Sequence, residues 1–151
     1  MSDGGWVLMV VVALATAFGL WRAARDGRFR GTHPVHGVSQ SASSEERPVS
    51  VLDGSDIDHE LGERGTLLQF SSAFCAPCRA TRRVLGEVAA VVPGVVHVEV
   101  DAEHHLDLVR QLGVTRTPTT LVLDAHGREV SRASGAPTKD EVIATLGRGL
   151  A

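Results

Sequence analysis

Tyrosine is missing from the 151 residues, aromatic side chains make up only 4% of them, and cysteine occurs just twice. Two cysteines exclude a disulfide-stapled secreted scaffold, which needs several bridges to compensate for a small core. A net charge of −3 leaves no basic footprint, so no nucleic-acid partner is expected. No internal repeat is present, which sets aside solenoid and propeller architectures. Positive charge is also missing ahead of the single long apolar run: residues 1–5 carry only Asp3, whereas a cleaved signal peptide has cationic residues there.

That apolar run is the first feature present in force. Residues 4–21 contain no charged side chain, and as a helix they span roughly 27 Å, or roughly 31 Å if continued to Ala24. The hydrocarbon core of a bilayer is about 30 Å thick, so residues 4–24 are expected to contact lipid as a single transmembrane helix. Trp6 and Trp21 bracket it as interfacial aromatics do. A buried core helix is the plainer alternative, but the run is too long and too uniformly apolar for it. Arg22, Arg25, Arg28 and Arg30 follow, against Asp26 alone. By the positive-inside rule that flank is cytoplasmic, which makes the protein a single-pass cell-membrane protein with its remaining mass in the cytoplasm; an extracytoplasmic domain is the alternative. Residues 32–47, rich in Ser, His and Glu, lack periodicity and favour a flexible tether. The expected organisation is an anchor at 1–25, a flexible linker at 26–47 and one domain at 48–151, long enough for a modest core.

Within that domain the two cysteines stand as Cys75-Ala76-Pro77-Cys78. Random placement yields this spacing about 1% of the time, so the pair demands a reason. Residues 66–71 form a short apolar run with β-branched and aromatic content, which predicts a buried strand. From Cys75 the pattern turns helical, with Val84, Leu85, Val88, Ala89 and Val92 on one face, and Pro93-Gly94 ends it. Cys75 is therefore placed at a helix N-terminus, where free N–H groups and the helix dipole stabilise a thiolate. Thiols so placed have pKa values lowered from about 8.5 towards 7 or below. Cys78, one turn further in, shares less of the effect, so the first cysteine attacks and the second resolves. Pro77 is tolerated because the first helical turn offers its missing N–H no acceptor.

The remaining pattern alternates: strand 95–101, helix 106–112, strand 119–123, a turn at 124–127, strand 129–134 and helix 138–150, the last opening on a Thr138/Glu141 capping box. A parallel β-α-β followed by an antiparallel pair predicts an α/β sandwich with a mixed sheet. Residues 49–52 are expected to form a first strand and residues 56–62 a short helix.

These features together resemble the thioredoxin family. Phe74-Cys75-Ala76-Pro77-Cys78 is similar to its aromatic-Cys-X-Pro-Cys active site, and Thr117-Pro118-Thr119 resembles the loop whose cis-proline faces that site. The separation, 118 − 78 = 40 residues, leaves room for helix, strand, helix and loop. Asp101 matches the family's strand-end aspartate, and Gly127 and Gly135 match its glycines. The resemblance covers positions 48–151. It implies a thioredoxin-like three-layer sandwich, which here follows the one transmembrane helix read from residues 4–24, and a cis Thr117-Pro118 bond. It further implies a redox-active disulfide between Cys75 and Cys78, and a substrate-docking rim of Phe74, Ala76, Pro77, Thr117 and Pro118.

One departure stands out. A buried aspartate commonly lies six residues before the family's first cysteine, and position 69 here is glutamine, which hydrogen-bonds but accepts no proton at useful pH. His97 stands where lysine is common. Gln69 and His97 are thus the residues expected to tune the pair.

A metal site is the competing use of the cysteines, with His104-His105 or His33 and His36 as further ligands. No second C-x-x-C exists, and Arg79 stands where a covalent haem motif needs histidine. The expected protein is thus a membrane-tethered thiol-disulfide oxidoreductase without metal or organic cofactor. Its expected partners are protein disulfides and dithiols, and a reductase or membrane electron donor. A redox-silent adaptor and a metal carrier are the alternatives.

Overall fold

The computed structural model describes residues 3–23, 28–31, 50–52 and 61–150. Its first element, helix α1 (Asp3–Ala23), is long and apolar enough to cross a bilayer, and residues Gly5–Arg22 touch nothing that buries them. Thr16, a hydroxyl in mid-helix, donates to the Val12 carbonyl at 2.7 Å, so its donor is paired within the helix.

Among the described residues five strands follow as one sheet, β1 (Phe29–Gly31), β2 (Gly65–Ser71), β3 (Val95–Asp101), β4 (Thr119–Asp124) and β5 (Glu129–Ser134), in the order β1-β5-β4-β2-β3. The β2–β3 pair is parallel and the others antiparallel, which is the mixed sheet the alternation predicts. Helix α2 (Ala76–Val91) joins β2 to β3, α3 (Leu106–Gln111) follows β3, and α4 (Lys139–Gly149) follows β5. All seven residues of β2 are buried, because the strand lies between two neighbours with both its faces covered.

Two apolar clusters separate the layers. On one face Leu68, Phe70, Val98, Val100, Leu121 and Leu123 pack against Leu108 and Leu112 of the α3 segment. On the other, Leu67 and Val122 pack against Leu85 and Val88 of α2 and Val142 and Leu146 of α4. The result is a three-layer α/β/α sandwich. Thr138 caps α4 with both bonds of the capping box in place.

Two expectations need correction, and a third lies mostly outside the described residues. Phe29–Gly31 falls inside the stretch expected to be a flexible linker, yet it pairs antiparallel with β5, and Phe29 packs on the α2/α4 cluster. Val51 and Leu52 form a turn, not a first strand: Leu52 N–H meets the Ser50 hydroxyl at 3.3 Å, Val51 N–H donates to the Gly127 carbonyl at 2.9 Å, and both apolar side chains cover the α3-side cluster. The edge beyond β5 is already taken by β1. Of the helix expected at 56–62, positions 56–60 lie outside the described residues and Leu61 and Gly62 are not helical.

Candidate active site

The chain leaves β2 at Ser71 and enters α2 within five residues, and that junction holds the cysteines. Cys75 is the N-cap of α2, with extended backbone (φ −96°, ψ 97°), and its Sγ accepts the Cys78 N–H at 3.1 Å. A sulfur thus takes the place a serine or aspartate oxygen usually holds at an N-cap. Pro77 sits in the first turn. Cys75 and Cys78 are joined as a disulfide, their Cα atoms 5.2 Å apart. The pair is asymmetric: Cys75 is half-buried at the surface, whereas Cys78 is 2% exposed.

Around Cys75 the surface is apolar and open, with Phe74 wholly exposed and Ala76 and Pro77 exposed beside it. The loop before β4 approaches from the other side. Its Thr117-Pro118 peptide is cis, Pro118 is buried, and the Thr117 hydroxyl lies 3.1 Å from that of Ser72, which ties this loop to the cysteine loop. Of the five residues expected to form a rim, Phe74 sits on the cysteine loop, Ala76 and Pro77 in the first turn of α2, and Thr117 and Pro118 on the loop that meets them.

Beneath the pair lies a buried polar chain. Gln69 is fully buried, and its Nε2 donates to the Cys78 carbonyl at 3.0 Å and to Ser71 Oγ at 2.8 Å. The Gln69 Oε1 can only accept, so His97 Nε2, 3.1 Å away, carries the hydrogen of that bond. Ser71 in turn donates to Glu99 Oε1 at 2.6 Å, and the other oxygen of Glu99 pairs with Arg82 of α2 at 2.8 Å. Burial pushes the His97 imidazole below its ordinary value; Glu99 opposes that shift and Arg82 adds to it. Asp101 is held below the usual carboxylate range, chiefly by the Glu103 N–H and then by His104.

A cavity of about 330 Å³ opens between the cysteine loop and β3, bounded by Ser71, Cys75, Cys78, Arg82, Glu99 and Asp101, with Arg79 at its side. Gln69 and His97 are joined to each other but stand behind this space. The sequence reading did not single out Ser71, Arg82 and Glu99 as members of the site. A signal for them existed, since His97, Glu99 and Asp101 recur with period two and so share one face of a strand. Among the described residues no cluster of three or more His, Cys, Asp or Glu is arranged to hold a metal ion; His33 and His36 lie outside them.

A helix-capping cysteine, a buried second cysteine one turn on and an adjoining cis-proline loop, carried on a mixed α/β/α sheet, define a dithiol-disulfide exchange module. The family model for thioredoxin matches residues 49–148. The thioredoxin of Chlamydia muridarum is 32% identical over 100 residues, covering 66% of this chain and 97% of that protein, and thioredoxin H2 of Arabidopsis thaliana is 32% identical over 110 residues, covering 68% and 81%. Among solved structures, Fasciola hepatica thioredoxin superposes with a TM-score of 0.52 at 27% identity, covering 58% of this chain and 83% of that one. A mutant thioredoxin from Halobacterium salinarum, at 19% identity and a TM-score of 0.54, covers 59% and 77% and shares the fold. The chain belongs to the thioredoxin family and is a thiol-disulfide oxidoreductase. Helix α1 and strand β1 precede the matched region.

Proposed function

We propose that this protein is held in a membrane by α1 and exchanges disulfides with protein substrates, Cys75 attacking and Cys78 resolving. The observation that carries the assignment of roles is the asymmetry of the pair: the half-buried Cys75 can meet a substrate sulfur, and the buried Cys78 can meet only Cys75. Reduction of Cys75 leaves a thiolate in the position that accepts the Cys78 N–H at the start of α2, where the helix dipole favours negative charge. Exposed Phe74, Ala76 and Pro77 and the Thr117-Pro118 loop supply a rim for an extended substrate chain. No organic cofactor is required, since the electrons enter from a reductase or a membrane donor as another dithiol.

The membrane reading draws on the length and uninterrupted apolarity of Gly5–Arg22. The arginines after it favour a cytoplasmic domain.

The roles are tested with single cysteines. Cys78→Ser is expected to accumulate mixed disulfides through Cys75, visible as reducible adducts on non-reducing gels, whereas Cys75→Ser traps nothing. Adducts on Cys78 forming in Cys75→Ser as fast as on Cys75 in the converse variant reverse the assignment.

A further inference from the structure

Resolution requires that Cys78 lose its proton before its sulfur can displace a substrate from Cys75. Gln69, the buried side chain bonded to the Cys78 peptide, accepts none. The acceptor must be sought among the groups that share a space with the two sulfurs.

The cavity beside the cysteines contains two carboxylates, Glu99 and Asp101. They are differently disposed. Asp101 turns outward, its oxygens occupied by the Glu103 N–H and His104 Nδ1, both at 2.9 Å. Glu99 turns inward with a quarter of its side chain exposed, and is fixed on one side by the Ser71 hydroxyl and on the other by Arg82. Ser71 is itself held by Gln69, so the bonds Gln69 to Ser71 and Ser71 to Glu99 all donate towards the carboxylate. Register accounts for the placement, because Gln69 of β2 lies directly opposite Glu99 of β3 in the parallel pair.

We propose that Glu99 is the proton acceptor for Cys78, serving from β3 the step that Gln69 on β2 cannot. The inference rests on the role assignment proposed above. In reduction of a substrate, Cys75 thiolate has formed a mixed disulfide and released the first substrate thiol. The Cys78 proton passes through water in the cavity to the Glu99 carboxylate. Cys78 sulfur bonds to Cys75 sulfur, the Cys75-substrate bond breaks, and the departing substrate thiolate recovers a proton by the same route. The dithiol gives up two electrons and the substrate disulfide gains them. The charges around Glu99 are Arg79 and Arg82 from α2 and His97 and Asp101 from its own strand, with His104 against Asp101; β2 offers only neutral Gln69 and Ser71.

The test uses the reduced full-length protein in detergent and the aromatic disulfide 5,5′-dithiobis(2-nitrobenzoate). Attack by Cys75 releases one coloured thiolate and resolution by Cys78 releases the second, so the two steps are read apart. Glu99→Gln keeps the shape and a hydrogen bond to Ser71. It should slow the second release about tenfold or more near pH 7 and change the first by less than about twofold, with the deficit closing as pH approaches about 8.5, where the thiol ionises unaided. Glu99→Asp retains a carboxylate on the same strand and should recover part of the second release that Glu99→Gln loses, a rescue that a purely structural contact would not produce. Superimposable second-phase profiles for parent and Glu99→Gln between about pH 6 and about pH 9 overturn the proposal. Should Glu99→Gln fail to fold, the same comparison is made with Glu99→Ala, and superimposable second-phase profiles there overturn it alone. Loss of the first release in Cys78→Ser, by contrast, refutes the attack by Cys75 and leaves a different signature.

Discussion

His97 stands two hydrogen bonds behind the cysteine pair, donating to Gln69, which bonds the Cys78 carbonyl, from a half-buried position on β3. Burial lowers its pKa from the ordinary value of about 6.5, so the folded protein prefers the neutral ring while the unfolded chain takes up a proton. Unfolded molecules then bind more protons over the interval between the folded value and about 6.5, and linkage makes stability fall as pH drops through that interval and level off below it. Urea unfolding across mildly acidic pH should show this decline in the parent and lose it in His97→Gln, which keeps a donor for Gln69 but has no ring to charge. A decline of equal depth in both proteins would assign it to other groups. At this scale the sequence is informative about chemistry that is local in the chain. The cysteine spacing, the helix start, Pro77 and the glutamine at 69 are all read from neighbouring residues. Ser71, Glu99 and Arg82 meet only because β2 and β3 pair in one register and α2 folds back over them, and register is set by packing across the sheet, which no single segment encodes.

Elements differ in how openly the chain announces them. Helix α2 and helix α4 carry their boundaries in their residues, a cysteine-proline start and a capping box; β2 and β4 have apolar runs, and β3 and β5 alternate apolar or small with polar residues between turns. Strand β1 has neither. Three residues, Phe29, Arg30 and Gly31, cannot display a period, and the arginines around them read as a membrane flank instead. Its contribution is physical all the same: it covers the backbone edge of β5, and Phe29 adds a ring to the cluster formed by Leu67, Leu85, Val88 and Val142. Complete truncation of a buried phenylalanine costs about 3–5 kcal/mol, and for the half-buried Phe29 we expect Phe29→Ala to lower unfolding free energy by about 1–2 kcal/mol. Denaturant titration of the full chain in detergent measures it. A change below about 0.3 kcal/mol, within the range of ordinary surface substitutions, would return residues 29–31 to the linker.

For the whole molecule, with α1 in a bilayer as proposed, the variable to determine is the side of the membrane on which the dithiol works. With a cytoplasmic domain, a thiol reagent that cannot cross membranes should leave reduced Cys75 unlabelled in intact cells and label it after permeabilisation; labelling at full rate in intact cells would put the domain outside. Moving two of the four arginines at positions 22–30 to the N-terminal side of α1 should mix the two outcomes. Either orientation inherits the same short junction. Helix α1 ends at Ala23 and β1 begins at Phe29, so six Cα-to-Cα steps separate them and extend to at most roughly 20–22 Å. Residues 32–49 come after β1, so they lengthen a connection inside the domain's own path and add nothing to this leash. With α1 in a bilayer, the dithiol explores a shallow dome above the lipid instead of the surrounding solution. A partner fixed in the same membrane is then confined to the same thin layer as the dithiol and meets it more often than an equal amount of freely diffusing protein would. Partner choice on this account is made as much by location as by the fit of a peptide against the rim.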